Sequence, residues 1–470
     1  MASMDVFDVA ILGSGPGGYV AAIRAGQLGL KTAIIERDAV FGGTCLHRGC
    51  IPTKAFLHTA DLLDEIRHAD THGVEVAGDP RVDMTKLLAR KDKVVGQLAQ
   101  GVKGLLRKNK VTLVNGRGTL AGRDSIAVVA EGKETATVRA KNIVLATGSE
   151  VRAIPSLPTD GKVVINSDHI LKLGEVPASL LVIGAGAVGV EFASIFLRFG
   201  SQVTLVEMLD RLVPVEDEEI SKELERLFKK QGMDCRPGTT VAALNVKDGK
   251  ATVTLKGKDG KETTETFDKV LVAVGRKPNT EGVGYAENGV KLTQETVDVD
   301  DRFRTSVPGI YAIGDIIKGP WLAHAASHEG LHAVQEIAGK PLAERMDFRR
   351  VPGATYCFPE VASIGLTEMQ AKELGFDARA AKFPFVGIGK ALILGQTDGF
   401  VKVVTDKKYD EILGVHIIGP KATELISPAS VAMAHEATAE SLASAIQAHP
   451  TLSEAIGEAA HGVHGLAIHF

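Results

Sequence analysis

Two cysteines separated by four residues stand in Gly42-Gly-Thr-Cys45-Leu-His-Arg-Gly-Cys50-Ile-Pro-Thr-Lys54, and a helical pattern follows them through Leu63. The unpaired N–H groups of a helix start favour a thiolate, and His47 or Arg48 adds positive charge, so either sulfur suits nucleophilic attack near neutral pH. Flexible glycines also let the pair close into a disulfide. Zinc would need further Cys or His ligands, and the other two cysteines, Cys235 and Cys357, are isolated in the chain. Reversible redox chemistry is the favoured reading, ahead of zinc and of an inert buried pair. Near the other end, Ala448-His449-Pro-Thr451-Leu-Ser-Glu454 sets a base and an acid five residues apart at the start of the last helical pattern. A histidine backed by a carboxylate can shuttle protons. Thr451 and Glu454 equally fit a capping box, in which the acid serves backbone N–H groups. Spacing alone leaves both open. His68 with His72, and His461 with His464 and His469, read as surface groups.

A dithiol needs somewhere to send electrons, and the flanking segments supply it. Asp8-Val-Ala-Ile-Leu-Gly13-Ser-Gly15-Pro-Gly-Gly18 is an apolar run entering a glycine turn and a helical pattern through Ala25. Thr32-Ala-Ile-Ile-Glu36 follows as a second strand ending in an acid, completing a β-α-β unit. The pattern returns as Leu181-Val-Ile-Gly184-Ala-Gly186-Ala-Val-Gly189 and Val203-Thr-Leu-Val-Glu207, with glycines and acid both displaced by 171 residues. One Gly-x-Gly-x-x-Gly is weak; two copies with matched strands, helices and acids indicate two dinucleotide sites. Their glycines permit a tight turn and close backbone approach to a pyrophosphate at a helix N-terminus. Glu36 and Glu207 are placed to accept from ribose hydroxyls, the alternative being a solvated acid at a strand end. At the second site Glu207 repels a 2′-phosphate and Met208 brings no positive charge, which favours NAD over NADP.

Two further strands ending in glycine, Ile143–Gly148 and Val270–Gly275, each close one such unit. Thr305–Asp315 has no counterpart in the second unit and is assigned back to the first, making the second an insertion. From Arg350 the pattern changes to separated strands, such as Gly399–Thr405 and Ile412–Ile418, and alanine-rich helices. The expected fold class is α/β, with two Rossmann-like domains and a C-terminal α+β domain. The boundaries expected are 1–150 and 279–349 for the first domain, 151–278 for the inserted one and 350–470 for the third. A chain of 470 residues has room for these cores, and 44% hydrophobic with 24% charged residues is ordinary globular usage. With 54 basic against 58 acidic residues, no positive field draws it to nucleic acid. The stretch Leu180–Leu197 is broken by three glycines and Glu191, and the first residues carry no signal-peptide pattern, so no membrane segment and a cytoplasmic setting are expected.

Together the two dinucleotide fingerprints, Gly-Gly-Thr-Cys-Leu, Gly-Cys-Ile-Pro-Thr-Lys and His-Pro-Thr-Leu-Ser-Glu resemble the FAD-dependent pyridine nucleotide-disulfide oxidoreductases over nearly the whole chain. Among them the likeness is greatest to members that oxidise dihydrolipoamide. That resemblance implies an FAD domain contacting its cofactor through Gly13, Gly15, Gly18, Glu36, Lys54, Gly118, Gly148, Asp315 and Ala323, with Asp315 at the ribityl chain and Glu191 close to Lys54. It implies an inserted NAD domain using Gly184, Gly186, Gly189, Glu207, Val241, Ala273, Gly275 and Arg276, and a third domain that makes a homodimer. Cys45 becomes the thiol that exchanges with substrate, Cys50 the one nearer the flavin, His449 the base supplied to the partner subunit's site and Glu454 its orienting acid. The implied partners are lipoyl domains of 2-oxo acid dehydrogenase complexes or the glycine cleavage H protein, and the E2 core. Two departures stand out. His47-Arg48 replaces the Asn-Val common between the cysteines, and Tyr356-Cys357-Phe358 precedes Pro359-Glu360 in place of more polar residues.

Overall fold

The structure is a computed structural model that describes residues 6–130 and 132–470. Strand β1 (Phe7–Leu12) leads through a glycine turn into α1 (Pro16–Gln27) and β2 (Thr32–Glu36), then α2 (Gly43–Arg48) and α3 (Cys50–Arg67). The second copy is β3 (Ser179–Ile183), α4 (Ala187–Phe199) and β4 (Gln202–Glu207), followed by α5 (Glu218–Lys230). Helix α6 (Ala323–Ile337) and the last helix, α7 (Glu454–Val463), complete the elements that carry chemistry. Proline opens α1, where its missing N–H is one the helix would leave unpaired anyway. All of β2 is buried, the near-continuous apolar run expected of a parallel strand covered on both faces. Helix α3 runs four residues beyond the expected Leu63, because Asp64–Arg67 adds one more turn after the buried Phe56, Leu57, Ala60 and Leu63, closed by Arg67 Nη1 on the Arg198 carbonyl.

The chain divides into two compact units. The first holds residues up to Ala55, Lys86–Arg152 and Arg276–Phe348. Its sheet runs in the order Thr112–Asn115, β2, β1, Lys133–Leu145, Ser125–Ala130, Arg117–Gly122. β1 is parallel to both neighbours, with Ile11 opposite Ile34 and Val144. The short strand Ile310–Ala312 adds to the far side of Lys133–Leu145, setting Ile310 beside Ile143. Val9, Ile11, Ile34, Ile35, Ile143 and Val144 are fully buried here, each side chain contributing ~1.5–3 kcal/mol of hydrophobic stabilisation.

The second unit holds Phe56–Thr85, Ala153–Gly275 and Arg349–Phe470. One of its sheets is parallel, in the order Asp234–Pro237, β4, β3, Lys269–Val272, Val164–Ile165. Another is antiparallel, in the order Gly353–Thr355, Glu360–Gly365, Ile412–Gly419, Phe400–Asp406, Ala378–Pro384. Register aligns Ser363, His416, Lys402 and Lys382 in one polar row across four of its strands. The start of α5 answers that row with acids. Asp217 caps the helix and holds Lys402 Nζ at 2.9 Å, and Glu219 holds the same ammonium at 2.8 Å and also pairs with Lys382. Lys402 is 4% exposed. Burial works against its charge, and Glu219 and Asp217 more than offset it, so the ammonium is held. A mixed α/β architecture with parallel nucleotide-type sheets is therefore present, as the sequence pattern indicated.

Candidate active site

Both glycine turns are built the same way. Gly13 has φ +107°, and a Cβ there would lie 2.2 Å from the Ala146 carbonyl oxygen; Gly184 has φ +99°, with Ala273 O at 2.6 Å from the corresponding point. The turn must pass that close to the next strand's end, which only glycine allows. In each copy the terminal glutamate fastens the loop. Glu36 Oε2 accepts from the N–H of Ser14 at 2.9 Å and Oε1 from that of Asp38 at 2.8 Å. Glu207 Oε2 accepts from Ala185 N–H at 2.7 Å and Oε1 from Leu209 N–H at 2.9 Å. The partners are again 171 residues apart. The first copy adds the Ser14 hydroxyl, which donates to Glu36 and accepts from Gly42 N–H at 3.0 Å. Beyond Gly15 and Gly186, the caps of α1 and α4, a side chain would meet open space, and neither helix start has a side-chain cap. Helix N-termini without a side-chain cap, an adjacent carboxylate and no obstructing Cβ fit a dinucleotide diphosphate and its ribose.

The cysteines are attached to the first of these loops. A Cβ on Gly43, whose φ is +64°, would fall 2.5 Å from Gly15 Cα, so α2 rests backbone to backbone on the glycine turn. Gly49 then folds the chain back against Thr44 and Cys45, and Cys50 opens α3 beside Cys45. Both are free thiols, half-buried. A hydrogen bond to Cys50 and burial push the Cys45 thiol up, and Lys54 opposes them. The sequence pointed to His47 or Arg48 for that role. The structure instead ties His47 Nε2 to the Phe41 carbonyl at 3.0 Å and Arg48 to Asp38 at 2.8 Å, so both side chains are committed to the loop after β2. Tyr19 on α1 is a neighbour of Cys45 that no motif signals, its phenol pushed up by burial and by the sulfur.

Of the remaining first-unit candidates, Gly148, Asp315 and Arg276 meet around Ser149. Gly148 (φ +67°) is followed by Ser149, whose hydroxyl donates to Asp315; Arg276 Nε reaches that hydroxyl and Nη2 the Ser149 carbonyl, both at 2.6 Å. The side chain of Arg276, which the family resemblance grouped with the second site, is thus held beside Asp315. Gly314 N–H donates to Glu329 Oε2 at 2.6 Å. Ala323 is the first residue of α6, and Gly118 sits in a strand where any side chain would meet Leu12 and Ile35. In the second unit Ala273 and Gly275 flank the Gly184 turn, and Val241 packs half-buried on that sheet's core. Glu191, buried in α4, accepts from Tyr356 N–H at 3.0 Å. Ser149 and Glu329 escaped the sequence reading. Glu329 did leave a signal, since it falls on the buried stripe of α6 with Ala325, Ala326, Gly330, Ala333 and Val334.

His449 and Glu454 are joined. Nδ1 of the imidazole lies 2.8 Å from Glu454 Oε1, and the other carboxylate oxygen accepts from Thr451 N–H at 2.9 Å. The histidine holds the Glu454 carboxyl below the usual range. Only half of a capping box forms, because the Thr451 hydroxyl turns back to the Ala448 carbonyl. The acid therefore fixes the imidazole and leaves Nε2 for proton exchange. Among the tail histidines, His469 pairs with Glu458 and His464 with Asp410.

This site and fold define a class of protein. The chain belongs to the pyridine nucleotide-disulphide oxidoreductases: that family's sequence profile matches residues 7–330, and the profile of its dimerisation domain matches residues 351–460. It is 44% identical to dihydrolipoyl dehydrogenase of Bacillus subtilis over 474 residues, covering 99% of both chains. It is 43% identical to the mitochondrial dihydrolipoyl dehydrogenase of Pisum sativum, covering 99% of this chain and 93% of that one. The fold is that of LpdA from Mycobacterium tuberculosis, with a TM-score of 0.89 at 28% identity, covering 97% of this chain and 99% of the other. No helix among the described residues is long and apolar enough to cross a membrane.

Proposed function

We propose that the chain oxidises protein-bound dihydrolipoamide, passing electrons through Cys45 and Cys50 and bound FAD to NAD. The observation that carries this is the dithiol seated on the first nucleotide loop through the Gly43–Gly15 contact. Under this reading FAD is held by Gly13, Gly15, Gly18, Glu36, Lys54, Gly118, Gly148, Asp315 and Ala323. NAD is held by Gly184, Gly186, Gly189, Glu207, Val241, Ala273 and Gly275, and Arg276 and Glu191 complete the set of cofactor-binding residues. Bound FAD would supply two-electron redox chemistry between the dithiol and NAD. His449 accepts a proton from one substrate thiol, and Glu454 steadies the resulting imidazolium. The substrate thiolate attacks Cys45 Sγ of the oxidised pair; the Cys45–Cys50 bond breaks and Cys50 leaves as thiolate. The second substrate sulfur, deprotonated, then attacks the first, closing the lipoamide ring and releasing Cys45. Two electrons and two protons have left the substrate.

The working unit in this reading is a cytoplasmic homodimer in which His449 serves the partner subunit's site. Leu392, Ile393, Val431 and Ile446 support it, being exposed in the segment that matches the family's dimerisation domain. Lipoyl domains of 2-oxo acid dehydrogenase complexes or the glycine cleavage H protein, with the E2 core, are the partners, and the domain boundaries are those at 150, 278 and 349. The test is anaerobic addition of dihydrolipoamide to the purified protein. A long-wavelength thiolate–flavin band followed by NADH on adding NAD is expected. A flavin spectrum that dihydrolipoamide leaves unchanged rules the substrate out.

A further inference from the structure

Glu329 is a buried carboxyl that the proposed reaction does not use. It is 1% exposed, and its Oε2 accepts from Gly314 N–H at 2.6 Å, which ties α6 to the turn Gly314–Ile316 carrying Asp315. Helix α6 has no slack to move it: a Cβ on Gly330 would fall 2.7 Å from the Gly17 carbonyl oxygen, and one on Gly17 2.9 Å from that of Ala326, so α6 and α1 touch backbone to backbone. The elements packed on α6 bring few charges. α1 carries Tyr19 and Arg24, and the turn carries Asp315. On α6 itself His328 is exposed, His332 lies against Phe303, and Glu336 is paired with Arg302 and Arg304. The charge that acts on Glu329 is Asp315, another acid. A carboxylate without a cation, in a dry place and beside a like charge, favours its neutral form.

We infer that Glu329 is a redox-linked proton acceptor and positioning residue, which takes a proton from solvent when negative charge arrives at the cofactor faced by the Asp315 turn. This rests on the reading under which Asp315 lies at FAD. Burial, then opposed by the Gly314 N–H and reinforced by Asp315, pushes the carboxyl up to about 7, so both forms are present at neutral pH. With Cys45 and Cys50 already reduced to thiols, two further electrons from excess NADH or dithionite enter the flavin with the one proton the flavin takes for itself. The Glu329 carboxylate becomes a carboxylic acid with a second proton, and returns it on reoxidation. No other bond changes.

The test uses the flavin-loaded full-length protein and its Glu329→Gln variant, whose amide oxygen still accepts from Gly314. Expected in the reduced-minus-oxidised infrared spectrum of the wild type near neutral pH is a growing carboxylic-acid carbonyl band that shifts in D2O, absent from E329Q. The flavin potential of the wild type should depend on pH more steeply than that of E329Q, by up to about one proton per two electrons. Equal bands and equal slopes in the two proteins overturn the inference. If E329Q loses flavin, the wild-type band decides alone, and its absence overturns the inference. A protein that binds no FAD at all fails earlier, at the proposed function.

Discussion

Glu329 also has a thermodynamic signature that needs no cofactor. Its carboxyl is raised from 4.5 to about 7 in the folded chain, so between those values the native state holds a proton the unfolded state has released. Stability from this group is full below the unfolded value and is lost as pH rises through about 7, amounting to about 3 kcal/mol. E329Q should therefore be the more stable protein at pH 8 and should lose that slope, as denaturant melts at pH 5, 7 and 8 would measure; a variant less stable at every pH contradicts this. At the same scale, Cys45 and Cys50 stood out by type and spacing, whereas His449 and Glu454 fitted proton transfer or a capping box equally until the family resemblance chose between them. Ser14, Ser149 and Tyr19 were not, since a serine or tyrosine acquires its role from what the fold sets beside it. His47 and Arg48 looked like thiolate partners by proximity in sequence, but a helix turns them toward Phe41 and Asp38.

Among elements, the α2 contact on the glycine turn leaves no room for substitution. Gly43→Ala puts a side chain on a left-handed residue, costing ~1–2 kcal/mol from the backbone alone, and its Cβ collides with Gly15 Cα. Weaker FAD retention together with a lower melting temperature is expected; a variant that keeps both would show the contact to be dispensable. The seam between α5 and the antiparallel sheet carries a second prediction. Lys402→Met leaves Asp217 buried without its cation and should destabilise by ~3–5 kcal/mol. Adding Asp217→Asn should recover a large part, and chemical denaturation of the single and double variants reads the difference. The repeated strand-turn-helix units and two of the five C-terminal sheet strands, Phe400–Asp406 and Ile412–Gly419, were readable from apolar runs bounded by glycine. The polar row Ser363, His416, Lys402 and Lys382 was not, because it exists only through the register of four strands.

For the molecule as a whole, the proposed sharing of sites between subunits is testable by complementation. Cys45→Ser and His449→Gln homodimers should each be nearly inactive, yet a refolded equimolar mixture should regain about one quarter of wild-type turnover, since half of randomly paired dimers hold one intact site. No recovery in verified hybrids would place histidine and cysteines in the same chain's site.

The two nucleotide loops share one hydrogen-bond plan, but only the first has a hydroxyl at its second position, Ser14 against Ala185, locking Glu36 to Gly42. Glu36 is buried, whereas Glu207 is only partly so. Opening the first loop therefore breaks more hydrogen bonds at once than opening the second, which makes the first the stiffer of two cradles cut to one pattern.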